Sequence, residues 1–306
     1  MCLLVHLIYL TVIRNKKISE TIIEVLLKGA ALITILVTLS IIYILVSQAF
    51  HFFKEVSLWD FLTDSKWTPT FSDKHYGILS LFSGTILTTL VSISIAVPIG
   101  IIIAVYLSVY SSYKARNYIK PALEVLASVP TVVYGYFALI FVTPFLKTVF
   151  PTIEANNILS AGIVMAIMIL PMITSLSEDA LNAVPKAMRE ASWGMGATRL
   201  QTAFKVLVPS AASGIIVSII LAISRAIGET MIVTIAAGTK PGITFNPLHE
   251  AQTITAYMVS TSKSDVQVGD TAYYAIFGAG IALFFFTFTL NIISFYIKKK
   301  FQEKYE

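Results

Sequence analysis

Two charged residues interrupt the otherwise apolar stretch 210–237: Arg225 and Glu229. Four residues apart, they are placed on one face of a helix. A charge near the bilayer centre costs about 2.5–3.5 kcal/mol on insertion scales. An intrahelical pair at this spacing returns only about 0.2–0.5 kcal/mol, and Arg before Glu is the weaker order. Mutual attraction therefore does not keep them there; they must face a polar pathway or a partner helix. Two kinds of chemistry fit. As a structural ion pair they would hold the helix against its neighbours. As an anion-handling element, the planar guanidinium would offer paired donors to an oxyanion. Glu229 would then temper the attraction so that the anion can leave.

No other set of residues converges on chemistry. His6, His51, His75 and His249 are scattered without ligand spacing, and Cys2 is the only cysteine. Neither a metal site, nor a cofactor site, nor a disulfide framework is expected. There is no Gly-x-x-x-x-Gly-Lys-Ser/Thr phosphate loop, so the chain is not expected to hydrolyse ATP itself. Nor does a Ser/His/Asp or Cys/His set share a common depth. The expectation is a protein that is not an enzyme.

The loop 178–209 carries the second informative pattern. Pro185 stands where a helix can begin without needing its N–H, and residues 186–193 read as a short helix. Gly194 and Gly196 permit the left-handed backbone of a sharp turn. Leu200, Ala203, Phe204 and Leu207 then recur at helical spacing until Pro209. The prediction is a helix–turn–helix elbow, either a solvated connector or a handle for a partner.

These residues must be positioned by membrane helices. Of the 306 residues, 56% are hydrophobic and 13% charged, half the charge of a soluble protein, and the mean hydropathy is +0.80. Cytosolic enzymes, nucleic-acid binders and disordered tails are excluded, and lipid is the expected surrounding. Apolar windows long enough for a core of about 30 Å occur at 29–50, 78–113, 125–146, 155–177, 210–237 and 273–297. Six spans are predicted. The second is read as an interfacial segment followed by a kinked helix over 85–110. Pro98, Pro130 and Pro171 read either as packing kinks or as hinges along a pathway. Residues 1–13 are apolar but too short to span, and read as an interfacial segment or as the product of a start placed too far upstream.

Lys and Arg set the orientation. Segments 1–28, 111–120, 178–209 and 298–306 hold fifteen of them, the alternate segments hold six, and Arg225 is the last. Both termini are therefore expected in the cytoplasm, with 51–77 an extracytoplasmic loop, 78–297 a single helical domain and 298–306 a cytoplasmic tail. This placement accounts for the net charge of +5 without nucleic acid.

Glu190-Ala191-Ser192, followed at fixed spacing by Gly196 and by Val206-Leu207-Val208-Pro209, resembles the EAA motif of binding-protein-dependent ABC importer permeases. Ser192 replaces the motif's second alanine. Ser128-Val129-Pro130-Thr131-Val132-Val133-Tyr134-Gly135, the run from Ser177 to Leu181, and Arg225-Ala226-Ile227-Gly228-Glu229-Thr230-Met231 are similar to segments of phosphate-specific permeases. The Met231 form, with Trp67, Pro69 and Tyr76-Gly77 in the outer loop, resembles the PstC-type subunit more than the PstA-type. The similarity spans about residues 20–298.

The resemblance implies an all-α integral membrane protein with the bundle of a type I ABC importer permease, in a bacterial or archaeal plasma membrane. It implies phosphate import with a PstA-like second permease, two ATP-hydrolysing subunits and an extracytoplasmic phosphate-binding protein. Glu190, Ala191, Gly196 and Pro209 would then form the coupling elbow seated on the ATPase. The resemblance also favours the substrate reading of Arg225 and Glu229. Sulfate or molybdate import is the nearest alternative. A self-sufficient secondary anion transporter and a membrane-embedded sensor are alternatives of other classes.

Overall fold

The computed structural model describes the backbone of residues 2–301 and the side chains of 20–297 and 299. Helix α1 (Cys2–Glu55) is followed by the short α2 (Leu58–Thr63). Then come α3 (Leu79–Val105), which ends in a π-helical turn over Tyr106–Tyr110, and α4 (Tyr113–Ser128). Helices α5 (Thr131–Phe137) and α6 (Thr143–Val149) are joined by a second π-helical turn over Ala138–Val142. Next are α7 (Ile158–Asn182), α8 (Lys186–Gly194), α9 (Arg199–Thr202) and α10 (Val208–Ser210). Finally come α11 (Ala212–Ile227), α12 (Ile254–Ser262) and α13 (Thr271–Phe301).

Among the described residues, five stretches are long and apolar enough to cross a membrane: Glu20–Glu55, Leu79–Tyr110, Thr131–Val149, Ile158–Asn182 and Thr271–Ile297. A sixth is reached if Arg199–Ser210 and Ala212–Ile227, bent by 72°, count as one. The first span is helical well beyond 29–50, and its apolar side chains from Ile22 to Val46 are largely exposed, as lipid-facing residues should be. The side-chain environment of residues 1–13, read as interfacial, lies outside the described residues.

Helix α7 is the most buried of the candidate spans and is the centre of the bundle. Its neighbours approach closely because small residues face it. A Cβ on Gly162 would lie 2.5 Å from Val91 of α3, and one on Gly214 of α11 would lie 2.4 Å from Ala180. Pro98 and Pro171 sit inside α3 and α7 without ending them. At the other end of the bundle from the elbow, residues 51–77 fold into an aromatic cap. Phe52, Phe61 and Trp67 are buried with Tyr257 of α12, and Trp67 bridges to Tyr76.

Besides the longer first span, three boundaries matter most among those that differ from the sequence expectation. Helix α3 begins at Leu79 with no separate interfacial segment. The third span begins at Thr131, because residues 125–128 complete the charged helix α4 and Pro130 restarts the chain as an N-cap. The span 210–237 is not one helix: it is α11, an unwound stretch at 228–230, and a short helical run ending in a π-turn over Val233–Ala237.

Candidate functional site

Two sites follow from the sequence reading: the break after α11 and the elbow. At the break, Gly228 closes α11 and the chain re-enters helix at Met231. Glu229 therefore lies within the gap and Arg225 in the last turn before it, and the two do not share a continuous helical face. Glu229 serves as the cap of the second half-helix, its Oε1 accepting from the N–H groups of Met231 (3.1 Å) and Ile232 (3.4 Å). Its own carbonyl accepts from Thr255 Oγ1 at 2.6 Å, which ties the unwound backbone to the start of α12. Freed backbone groups at membrane depth need such partners, and here the carboxylate and Thr255 supply them.

The pair is asymmetric. The Glu229 side chain is 3% exposed and that of Arg225 is 47% exposed, with Nη1 3.9 Å from Glu229 Oε2. Arg225 Nη2 points to the sulfur of Met168 on α7 at 3.3 Å, a weak acceptor. The guanidinium thus keeps donors open beside an unwound segment, which is the chemistry of an anion contact. Beside the break a cavity of about 580 Å³ is lined by Gly228, Thr230, Thr255, Ser262 and Lys263 among others.

The elbow forms as expected in outline. Pro185 caps α8. The reversal falls on Gly196, the residue with positive φ (+82°), while Gly194 stays helical. Thr198 and Gln201 form a capping box that starts α9. Helix α8 contains no buried residue. Glu190, Ala191 and Pro209 are exposed, as are Trp193, Met195 and Leu200 at the tip. Ser192, the departure from the EAA pattern, is used: its Oγ is 2.9 Å from Thr202 Oγ1, closing the elbow. Ala203 and Leu207 pack inward, and Phe204 points out.

Sequence reasoning missed one group altogether. Glu178, assigned to the loop, lies in the last two turns of α7 and is fully buried. It is paired with Arg116 and with Lys120, both on α4. The i,i+4 spacing of the two cations was the available signal, but nothing in the sequence names the carboxylate they share. Tyr134 and Gly135 are packed, Tyr134 Oη donating to the Leu126 carbonyl at 2.7 Å and a Cβ on Gly135 meeting Ile235 at 3.0 Å, whereas Tyr136 is exposed.

Comparison with known proteins agrees with this architecture. A family model described as the binding-protein-dependent transport system inner membrane component matches residues 96–305. The probable ABC transporter permease protein YqgH of Bacillus subtilis is 30% identical over 94% of this chain and 93% of its own length. The phosphate transport system permease protein PstC of Mesorhizobium japonicum is 30% identical over 78% of this chain and 77% of its own. A probable PstC of Methanocaldococcus jannaschii is 26% identical over 74% and 77%. Among solved structures, an inward-facing form of the MetNI methionine ABC transporter aligns with a TM-score of 0.56. It covers 74% of this chain and 95% of that one at 16% identity. At that identity the likeness speaks for the fold, and the importer-permease bundle expected from the sequence is borne out.

Proposed function

We propose that this chain, which belongs to the family of binding-protein-dependent transport system inner membrane components, is the PstC-type permease subunit of an ATP-driven phosphate importer. The observation that carries the substrate is the similarity to PstC proteins over three quarters or more of both chains. The geometry supplies a means: a half-exposed guanidinium at a break in a membrane helix. In this reading Arg225 receives phosphate oxygens in a bidentate contact. Glu229 holds the break in shape and limits how tightly the anion is kept.

The chain is a permease and not itself an enzyme. ATP hydrolysis is assigned to two partner subunits that seat on the elbow through Glu190, Ala191, Gly196 and the segment ending at Pro209. A PstA-like permease completes the pathway, and an extracytoplasmic phosphate-binding protein delivers the anion. The excess of Lys and Arg on segments 1–28, 111–120, 178–209 and 298–306 supports the elbow end as cytoplasmic. Cysteines at Ser65 and Ser262 should then label from outside intact cells and one at Ser111 should not.

The deciding experiment is uptake of radiolabelled phosphate by the reconstituted complex with sulfate or molybdate in competition. Phosphate alone should compete at equal concentration. Preferential uptake of sulfate or molybdate would move the chain to another oxyanion. Uptake by this chain without ATPase subunits would make it a self-sufficient transporter.

A further inference from the structure

Within the elbow, whose second arm is anchored in the core by Ala203 and Leu207, helix α8 has little grip on the bundle: it has no buried residue, although Met188 packs against the core at that end. Its polar attachment is made by Arg189. Nη1 donates to the Ser108 carbonyl at 3.2 Å and Nη2 to Ser108 Oγ at 3.4 Å. Ser108 lies in the π-turn that ends α3, so the elbow is tied to a helix far from it in sequence. Ser108 Oγ also donates to Asn182 Oδ1 at 2.8 Å. Asn182 Nδ2 donates to Glu178 Oε1 at 3.3 Å. Glu178 is held by Arg116 on one oxygen and by Lys120 on the other, the latter at 3.0 Å.

The contacts are serial: α8, the end of α3, the end of α7 and α4 are joined in that order by six side chains. The one member with no exposure is the carboxylate at the junction. A charge buried against two cations holds a narrow geometry, because moving either cation away leaves charge uncompensated where water does not reach. The adjoining π-turn is the opposite kind of element: its hydrogen bonds skip one residue further, and such turns are frequent where helices flex at functional sites. Ser111 N–H closes it on the Tyr106 carbonyl at 2.8 Å. These side chains link α8 to the end of α3 through Ser108 and on to the buried carboxylate.

We infer that Glu178 is a positioning residue for coupling, the joint through which movement of the elbow is passed to α3 and α7. The inference rests on the proposed seating of the elbow on the ATPase, and its test keeps the two apart. In the reconstituted complex, a cysteine in place of Met195 should cross-link to the ATPase subunit whether residue 178 is Glu or Gln. With Glu178→Gln the complex should assemble and hydrolyse ATP at no less than about half the normal rate. Phosphate carried per ATP should fall about tenfold. Lys120→Arg, which keeps both cations, should leave that ratio within twofold of normal.

Cross-linking with hydrolysis and uptake reduced in proportion overturns the joint alone, since a merely structural residue would lower both. So does an unchanged ratio. Absence of the cross-link in the otherwise native chain overturns the elbow seating and the joint with it. Should Glu178→Gln fail to assemble, Asn182→Ala breaks the same chain without stranding a buried charge. It should lower phosphate per ATP about threefold, and an unchanged ratio there overturns the inference.

Discussion

Glu178 and Glu229 are both buried carboxylates with an arginine in reach, but they are used differently. Glu178 has two cations, one on each oxygen, and an amide besides. Glu229 has one arginine at 3.9 Å and commits its other oxygen to two backbone N–H groups. At the first site each oxygen of a fully buried carboxylate faces a cation, although Arg116 and Lys120 are themselves part-exposed. At the second the carboxylate is occupied by the backbone and the guanidinium is left half in the open. A buried pair with one partner removed costs about 3–5 kcal/mol, whereas loss of a helix cap costs about 0.5–2 kcal/mol. The contrast teaches that an arginine beside a buried glutamate says nothing of its use until the rest of each group's hydrogen bonds is known.

The largest expected effect lies at the open site. If Arg225 holds the anion, Arg225→Lys should cut phosphate uptake about 100-fold despite the retained charge, since Lys is a point charge without the planar fork. Losing a charged hydrogen bond is worth about 1.5–3 kcal/mol, which spans that range. The double change Arg225→Gln with Glu229→Gln removes both charges together. It should assemble with the ATPase and carry no phosphate. Near-normal uptake by the double variant would make the pair structural and collapse the contrast with Glu178.

The contrast also marks what a sequence can disclose. Arg225 and Glu229 stand out because they interrupt an apolar run, and the elbow is legible from Pro185 and Gly196. The break is not, because Glu229 holds the first N–H groups of the second half-helix from one residue before its N-cap position, and only Gly228 hints at a helix end. The joint is invisible for another reason: Arg116 and Glu178 are 62 residues apart, and no local rule pairs them. Helix α4 was misjudged at 125–128 because four small and apolar residues continue into the next span, although Pro130 is the true restart. Ser192 differs from the motif's alanine by one hydroxyl, and that hydroxyl has a partner only because the chain turns back at Gly196.

A substitution at that turn separates backbone from charge. Gly196 has φ +82° and open space around it, so Gly196→Val meets no neighbour and its whole effect is conformational. A β-branched residue at positive φ costs about 1–3 kcal/mol. The variant should insert normally, keep the Glu178 joint and bind the ATPase about tenfold more weakly, as read by co-purification. Normal assembly and transport would mean that the turn does not shape the contact.

A smaller effect is expected where neither charge nor backbone changes. Ser192→Ala restores the alanine of the EAA pattern and removes the hydroxyl facing Thr202. Losing one neutral hydrogen bond costs about 1 kcal/mol, which opens the elbow about fivefold more often. Trypsin cleavage at the exposed Arg199 should rise by that factor while phosphate per ATP stays normal. An unchanged cleavage rate would show that the capping box of Thr198 and Gln201 holds the elbow by itself.

The smallest effect is at the aromatic cap, where a third carboxylate has a partner that titrates. His75 Nδ1 lies 2.7 Å from Asp64 Oδ2 and its Nε2 lies 3.1 Å from Asp73 Oδ2. These hydrogen bonds, from Asp64 first and then Asp73, raise the His75 pKa above its ordinary 6.5. Partial burial acts to raise the pKa of Asp64, but the Lys66 N–H and His75 outweigh it and the net direction is down. The signs then fix a window. A raised histidine contributes stability that is full below its unfolded pKa and is lost as pH rises through the folded value. A lowered aspartate contributes stability that is present above its unfolded pKa and is lost as pH falls through the folded value. The clasp is therefore tightest between the ordinary Asp64 value of 3.8 and the ordinary His75 value of 6.5, and it loosens as pH climbs from the latter through the raised value. Hydrogen exchange at Thr68, whose N–H donates to the His75 carbonyl, and at Gly77, whose N–H donates to the Lys66 carbonyl, reads this opening. Corrected for intrinsic rates, exchange should quicken about twofold from pH 6 to pH 9, the scale of an exposed pair, and His75→Gln should abolish the dependence. An identical rise in His75→Gln would mean that this clasp does not set the pH dependence of the cap.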